Sequence, residues 1–345
     1  MKSSKGDTKR KKLFKIFSEN LQRIKSHEEI KMEPDFEEGY LCPICFDLFD
    51  KSHLKKNHDN PLTLEDVPPK SLGGKAILLT CKHCNSSCGH NLDVHLVNRL
   101  QENEAIQFLP NTKSKTTFEK NGNKVGGLIE VDKNGVIKLD LREAWSNPKE
   151  KKNFMEQVFP PLKLKNTLFH SRNNIGINSK FESDTFTVKF PNKSEERKAE
   201  IALLKSAYLF AFAKFGYSFL INSGLYRIRE QILNPDKQIL PKVFWINFDF
   251  PDHTMGLNII TSPKELRCYL VIFKVLTKSN QYKFAIALPG PSDPGIKIYE
   301  NIENILCKDD NGFANIRLEN LPNENYTEED EFLWASHIYW QKFCS

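Results

Sequence analysis

Four cysteines form two closely spaced pairs, Cys42-Pro-Ile-Cys45 and Cys81-Lys-His-Cys84. The Cys-x-x-Cys spacing lets a tight turn direct two thiolates at one metal ion, and two such pairs complete the tetrahedral ligand set of a protein-bound zinc. Two unrelated pairs of buried cysteines are the alternative, which the repeated spacing disfavours. Because four thiolates leave no open coordination position, we expect a structural Zn²⁺ that takes no part in chemistry.

A pair of adjacent acids, Glu65 and Asp66, lies between the two cysteine pairs. Hard cations such as Mg²⁺ or Mn²⁺ prefer oxygen ligands, and a bound cation of this kind can activate water for the hydrolysis of a phosphodiester. These two residues therefore suit a catalytic metal site. The alternative is a polar pair that closes a β-turn and carries no chemistry.

The elements that would hold these residues can be inferred from the same stretch of sequence. Residues 62–74 begin as a strand and end in a Pro-Pro-Lys-Ser-Leu-Gly-Gly turn, and the apolar residues 76–80 indicate a second strand. Residues 85–100 have the apolar spacing of an amphipathic helix. We therefore expect a ββα arrangement with a cysteine pair at each end of its hairpin.

Three motifs follow one another in this region: Leu62-Thr-Leu-Glu-Asp-Val-Pro-Pro-Lys-Ser-Leu-Gly-Gly74, Leu79-Thr-Cys-Lys-His-Cys-Asn85 and the spacing Gly89-x-x-x-Asp93. Together they resemble the ββα-metal module of zinc-containing bacterial HNH endonucleases, and the resemblance covers residues 40–100. In that family a strand ends in a metal-binding acid followed by a His that activates the attacking water. A residue on the helix completes the metal site.

The resemblance implies that Glu65 is the metal-binding acid and that Asn85 is the helix residue of the site. The sequence departs from the family at Asp66, where the His is expected. A carboxylate with a pKa of about 3.9 is a weaker base than imidazole, so Asp66 would orient or deprotonate the water less effectively. Asp93 and His95 flank Asn85 on an ideal helix, and Asp93 is the preferred additional ligand.

Basic residues outnumber acidic ones by 50 to 44, which gives a net charge of +6, and the excess is concentrated in residues 1–31. An excess of positive charge favours a polyanionic partner. A solvated, frayed chain end would account for the same charges equally well. The residues predicted to contact nucleic acid are Lys9, Arg10, Lys11, Lys12, Lys70, Lys75 and His83.

The sequence divides into a basic arm (residues 1–39), an HNH-like zinc module (40–103), a β-rich connector (104–190) and an α+β carboxy-terminal domain (191–345). The expected fold class is therefore α+β. In the connector, Lys133-Asn134-Gly135 predicts the turn of a β-hairpin. In the last domain, a helix through Ile232 is followed by strand-like runs at 242–248, 268–275 and 282–288.

The most apolar stretch, residues 201–221, contains Lys205 and Lys214, so we predict a buried amphipathic helix and no membrane partner. The first residues lack the apolar segment of a secretion signal. Paired cysteines without such a signal favour a reducing, cytoplasmic compartment, in which thiols bind metal instead of forming disulfides.

Two functions remain open from the sequence. The first is a metal-dependent endonuclease that hydrolyses DNA phosphodiester bonds, which the family resemblance links with bacterial defence against phage. The second is a zinc module that has lost its nuclease activity and binds nucleic acid, a protein partner or a second copy of the chain. Asp66 separates the two, because the base expected at that position is an imidazole.

Overall fold

The computed structural model describes residues 5–33, 35–142, 147–158, 185–241, 245–246, 250–291, 293, 295–306 and 315–344. The helices in these ranges are α1 (Lys5–Lys25), α2 (Lys82–Cys88), α3 (Val94–Ile106), α4 (Pro148–Val158), α5 (Glu196–Phe215), α6 (Tyr217–Leu220), α7 (Leu225–Leu233), α8 (Lys297–Leu306) and α9 (Ala335–Cys344). The strands are β1 (Tyr40–Leu41), β2 (Leu48–Phe49), β3 (Leu62–Val67), β4 (Lys75–Cys81), β5 (Thr112–Lys120), β6 (Asn123–Val131), β7 (Ile137–Leu141), β8 (Thr187–Lys189), β9 (Trp245–Ile246), β10 (Gly256–Ser262), β11 (Cys268–Leu276), β12 (Gln281–Leu288) and β13 (Arg317–Asn320). The predicted α+β class is confirmed.

The chain folds into two compact units. The first contains residues 1–99, 194–277 and 281–345, and the second contains residues 100–193 and 278–280. The basic arm, the cysteine-bearing segment and the carboxy-terminal elements, which the sequence divided among three domains, therefore lie in one unit. The second unit covers most of the segment that the sequence marked as a β-rich connector.

The cysteine-bearing segment contains two short antiparallel hairpins. Strand β1 pairs with β2, and β3 pairs with β4, so that Leu62 lies opposite Cys81. A short 3₁₀ helix, Lys70–Leu72, leads from β3 into β4. Gly73 follows it with a φ of 86°, a left-handed conformation that favours glycine. The predicted strand, turn and strand are thus present.

A long helical run follows β4 and carries the remaining residues of interest. It begins with α2, continues through a π-helical turn at Gly89–Asp93 and ends with α3. A π-turn accommodates one more residue than an α-helical turn and changes the direction in which the following side chains point. Asp93 lies at the end of this wider turn, so its direction differs from that predicted for an ideal helix.

Helix α1 corrects the interpretation of the basic arm as a frayed chain end, at least for residues 5–25. Its apolar side chains Phe14, Phe17, Leu21 and Ile24 are buried, and the helix packs against β1, β3, β4 and α6. The basic residues largely occupy its opposite face, where Lys9, Lys11 and Lys12 are exposed. A helix with one apolar face and one basic face is the form that this pattern of residues favours.

The carboxy-terminal elements build a five-stranded antiparallel sheet in the order β13-β10-β11-β12-β9. Helix α5 packs on β11 and β12 and also contacts β3 and β4. The predicted strands at 268–275 and 282–288 are confirmed by β11 and β12. Of the predicted strand at 242–248, β9 covers Trp245 and Ile246, and the other residues lie outside the described ranges.

Helix α5 is buried over most of its surface, as predicted for residues 201–215. The predicted helix through Ile232 is not continuous, because Gly216, with a φ of 70°, ends α5 and the chain continues as α6 and α7. The apolar residues of α5 include Leu204, Tyr208 and Phe212, and Lys205 is enclosed among them at 1% exposure. In the parts of the chain that the structure describes, we find no helix long and apolar enough to cross a lipid bilayer.

The second unit is built on a four-stranded antiparallel sheet in the order β7-β6-β5-β8, with α4 packed on one face. Its core contains Phe118, Val125, Ile129, Val131 and Phe154. Strands β6 and β7 form the predicted hairpin, in which Asp132 Oδ1 accepts hydrogen bonds from the backbone N–H groups of Asn134 (2.8 Å) and Val136 (3.0 Å).

Candidate metal centre

The four predicted zinc ligands lie together. The Sγ atoms of Cys42, Cys45, Cys81 and Cys84 are all within 4.8 Å of one another, and the Cys45 and Cys81 sulfurs are 3.9 Å apart. Zn–S bonds of about 2.3 Å in a tetrahedron place neighbouring sulfurs about 3.8 Å apart. The donor atoms and their spacing therefore fit one metal ion held by four thiolates.

Tight turns aim these thiolates inward. In the first pair, Cys42 N–H donates to Asp47 O (3.0 Å) and Phe46 N–H donates to Cys42 O (2.9 Å), while Phe46 adopts a φ of 64°. In the second pair, Cys84 N–H donates to Cys81 Sγ (3.3 Å) at the start of α2. Hydrogen bonds among the four thiols lower the pKa of Cys81 and raise the pKa of Cys45 and Cys84.

The carboxy-terminal helices contact the first cysteine pair directly. Tyr208 on α5 donates its hydroxyl to Pro43 O (2.6 Å), and Tyr217 on α6 donates to Leu41 O (2.8 Å). The guanidinium carbon of Arg229 lies 3.4 Å from the centre of the Phe46 ring, a cation–π contact. These contacts fix the cysteine turn against the helices of the same unit.

Glu65 and Asp93, two predicted ligands of a catalytic cation, do converge, but on a lysine. The Nζ atom of Lys205 lies 3.0 Å from Glu65 Oε1 and 2.7 Å from Asp93 Oδ2. The side chains of Lys205 and Glu65 are 1% and 4% exposed. Thr80 donates its hydroxyl to Glu65 Oε2 (2.9 Å). The Asp93 side chain is 18% exposed. One ammonium thus neutralises part of the charge of one buried and one partly buried carboxylate.

The electrostatics of this cluster follow from burial. Burial alone would lower the pKa of Lys205, but the negative charges of Glu65 and Asp93 outweigh it and raise that pKa. Burial also raises the pKa of Asp93, an effect that the Lys205 charge opposes. Lys205 therefore stays protonated at neutral pH. A positive charge resides permanently between the two acids.

This arrangement does not fit a catalytic Mg²⁺ or Mn²⁺. A divalent cation between Glu65 and Asp93 would have to occupy the place of the Lys205 ammonium, and two cations at that separation repel each other strongly in a buried site. Asn85, the predicted helix residue, donates its side-chain amide to Thr63 Oγ1 (2.9 Å) and Leu64 O (3.1 Å). It connects α2 to β3.

Asp66 lies apart from the buried cluster. Successive side chains of a strand point to opposite faces, and here Glu65 is buried whereas Asp66 is partly exposed. The partner strand is irregular at this point, because Glu65 pairs with Leu78 and Asp66 pairs with Ala76. Partial burial raises the pKa of Asp66, and the nearby charges of Lys70 and Lys9 lower it.

The predicted nucleic-acid contacts fall into two groups. Lys9, Lys11, Lys12, Lys70, Lys75 and His83 are exposed. Arg10 is buried, and it donates to Leu62 O (3.3 Å) and to Asp7 Oδ1. Its guanidinium thus joins α1 to β3, and Arg10 also lines the cleft beside β3, so its contact with phosphate stays a prediction.

Two clefts border the hairpin, and both are lined by a lysine that the sequence analysis missed. The first, of about 410 Å³, lies beside β3 and is lined in part by Lys56, Thr63 and Lys82. The second, of about 540 Å³, is lined in part by Lys82, His83 and His90. Lys82 follows Cys81 directly, and its position in the exposed turn of the cysteine pair could have identified it.

The interaction partners of Lys205 and His95 also differ from those predicted from the sequence. A lysine within an apolar helix signals either a polar face or a buried counter-charge, and the amphipathic pattern favours the first of these. His95, considered as a metal ligand, accepts a hydrogen bond at Nδ1 from Glu195 N–H (2.9 Å) at the start of α5.

Comparisons with models of protein families, with curated proteins and with solved structures found no match for the chain.

Proposed function

We propose that the protein is a zinc module that binds nucleic acid without cleaving it. The binding surface, called the hairpin face, comprises Lys9, Lys70 and Lys82, which lie beside the β3–β4 hairpin. The observation that carries the proposal is the separation of charge around β3. Glu65 is buried, Asp93 is partly buried, and both bind Lys205, whereas the exposed surface beside them carries lysines. The site thus presents positive charge to a ligand and offers no free carboxylate pair for a catalytic cation.

The exposed lysines suit a polyanionic backbone. Burial raises the pKa of Asp66, and Lys70 and Lys9 lie near enough for their charges to oppose that rise. Lys82 lines both clefts beside the hairpin. Each lysine that neutralises a phosphate releases condensed counterions, so affinity falls as salt rises. Contacts of this kind position a nucleic acid without reading its sequence. We therefore expect binding that depends on salt and only weakly on sequence.

The four thiolates would hold Zn²⁺, whose role is structural. The ion would join the turn after β1 to the junction of β4 and α2, and the β3–β4 hairpin lies between these two segments in the sequence. A closed four-thiolate site has no position for a water nucleophile or a phosphate oxygen. Zinc in this position supports the binding face and supplies no hydrolytic chemistry.

The binding half of the proposal is tested with a variant in which Lys9, Lys70 and Lys82 are all replaced by Gln. Fluorescence anisotropy with labelled duplex DNA, single-stranded DNA and RNA gives the affinity at several salt concentrations. We expect the slope of log K against log salt to become shallower by about 3, roughly one for each lysine that no longer neutralises a phosphate. The matched control replaces three exposed lysines of the carboxy-terminal elements with Gln, namely Lys237, Lys264 and Lys297.

Equal slopes for the native protein, the triple variant and the control would reject the hairpin face as the binding surface. Absence of binding to all three nucleic acids would favour the other alternative, a protein partner. Both results are interpretable only with zinc-loaded, folded protein, which circular dichroism and metal analysis establish beforehand.

The non-cleaving half is tested with plasmid DNA and labelled RNA in Mg²⁺, Mn²⁺ or chelator. We expect no metal-dependent cleavage by the native chain, because Lys205 occupies the position between the two acids. Metal-dependent cleavage that is lost in Glu65→Gln would refute this half and restore the endonuclease hypothesis. Asp66→His is the informative second variant. If it cuts while the native chain does not, the missing imidazole alone accounts for the inactivity.

A further inference from the structure

We propose that Glu65 and Asp93 form a cation site that the chain fills with its own Lys205 ammonium, and that a divalent cation occupies this site once the ammonium is removed. The inference goes beyond nucleic-acid binding and does not depend on it. It concerns only the buried cluster formed by β3, β4, the π-helical turn and α5.

The oxygen atoms of the cluster are arranged around one point. Glu65 Oε1 and Asp93 Oδ2 approach Lys205 Nζ at 3.0 and 2.7 Å. Mg²⁺ and Mn²⁺ bind oxygen at about 2.1 Å and Ca²⁺ at about 2.3–2.6 Å, so each carboxylate would move by less than about 1 Å to reach a metal ion at that point. Displacements of this size require only side-chain adjustment.

A further oxygen atom is available in the same cluster. Asp93 Oδ1 is buried, and among the described residues it has no hydrogen-bond partner. A buried carboxylate oxygen without a partner costs free energy, because burial removes its hydration and no protein donor replaces the water. Coordination of a cation by both Asp93 oxygens would satisfy it. This oxygen is the second observation that points to a cation, besides the convergence of the two acids.

The charge balance leads to the same conclusion. Two carboxylates face one ammonium, so the buried cluster carries an excess negative charge while Glu65 and Asp93 are ionised. Removal of Lys205 would leave two carboxylates without a counter-charge, which is a costly arrangement in a buried site. A divalent cation neutralises both. The structure therefore explains why the native chain should not need the metal and why a chain without Lys205 should bind it.

The test uses the full-length, zinc-loaded chain and its Lys205→Ala variant, in which the side chain no longer fills the site. Binding of Mn²⁺ is followed through the electron paramagnetic resonance signal of free Mn²⁺, and thermal stability is measured with and without Mn²⁺. We expect one Mn²⁺ per chain for Lys205→Ala and none for the native chain. At a hundredfold excess of Mn²⁺ over its Kd, the Tm of the variant should rise by about 5 to 10 °C.

Two controls identify the ligands. Lys214→Ala removes another lysine of α5, one that donates to Asn323 Oδ1 and Glu324 O, and it should leave Mn²⁺ binding absent. Adding Glu65→Gln and Asp93→Asn to Lys205→Ala should abolish the Mn²⁺ binding that Lys205→Ala creates. If Lys205→Ala is unfolded without Mn²⁺, restoration of near-native circular dichroism by Mn²⁺ supports the proposal.

Three results would overturn it. The first is a folded Lys205→Ala chain that binds no Mn²⁺. The second is a Lys205→Ala chain that stays unfolded when Mn²⁺ is added. The third is Mn²⁺ binding by the native chain that disappears in Glu65→Gln, because the ammonium would then not be the resident cation of the site.

Discussion

Replacing Lys205 with Met tests how much the buried ion cluster contributes to stability. Methionine has a similar length, so the main change is loss of the ammonium that lies 3.0 Å from Glu65 and 2.7 Å from Asp93. At an effective dielectric constant of about 20, each attraction amounts to about 6 kcal/mol, and desolvation of the three charges cancels a large part of the sum. Removal of one partner from such a group costs about 3–5 kcal/mol.

For a folded unit of this size, that loss corresponds to a decrease in Tm of about 10 °C. Calorimetry measures it on zinc-loaded protein in a buffer freed of other divalent ions. The triple variant Glu65→Gln, Asp93→Asn, Lys205→Met replaces the whole cluster with neutral groups and should recover most of the stability, because no charge remains buried without a partner. A loss below about 1 kcal/mol in Lys205→Met, or a triple variant no more stable than Lys205→Met, would refute the assignment of these residues as a strong buried cluster.

Three further perturbations probe the scaffold. Cys81→Ser should abolish the binding of about one zinc per chain and unfold the cysteine-bearing hairpins. Metal analysis measures the zinc content and circular dichroism the folding, and full zinc content in the variant would refute the ligand set. Asn85→Ala removes the two hydrogen bonds to β3 and should cost about 1–3 kcal/mol in urea unfolding, whereas a neutral effect would contradict the geometry. Gly73→Ala, at a φ of 86° and with Leu276 3.0 Å from the added Cβ, should destabilise the protein by about 1 kcal/mol or more. Its matched control, Gly89→Ala at a φ of −59° with open space around the Cβ, should be neutral or stabilise by up to about 1 kcal/mol.

The parts of the site that sequence analysis predicted are those encoded by short-range spacing. Two Cys-x-x-Cys pairs are sufficient to predict four clustered thiols, and the Pro-Pro-Lys-Ser-Leu-Gly-Gly segment predicts a turn because Gly73 must adopt a left-handed conformation. The hairpin around Asn134 and Gly135 was predicted for the same reason. Within each cysteine pair and each turn, the determining residues lie within a few positions of one another, and the repeated spacing links the two pairs across 36 residues.

The position of Lys205 could not be predicted in this way. It is 140 residues from Glu65 and 112 from Asp93, and no local pattern records an interaction over such separations. Its sequence context, a lysine among apolar residues, is compatible with both a polar face and a buried ion pair. The alternative that the basic arm is a frayed chain end is wrong for residues 5–25, for a different reason. The density of charge in residues 1–31 favours a solvated segment, whereas the helical spacing of the buried Phe14 and Leu21 indicates a packed face.

The Asp93–Lys205 ion pair has a consequence for dividing the protein into fragments. A fragment with residues 40–103 alone would contain all four cysteines and both acids, yet it would lack Lys205, Tyr208 and Tyr217, which in the intact chain bind those acids and the first cysteine turn. Zinc could still bind the excised segment, but Glu65 would have no ammonium beside it. The unit that can be transplanted to another protein, or expressed by itself, therefore has to include helices α5 and α6, so its boundaries in sequence are discontinuous.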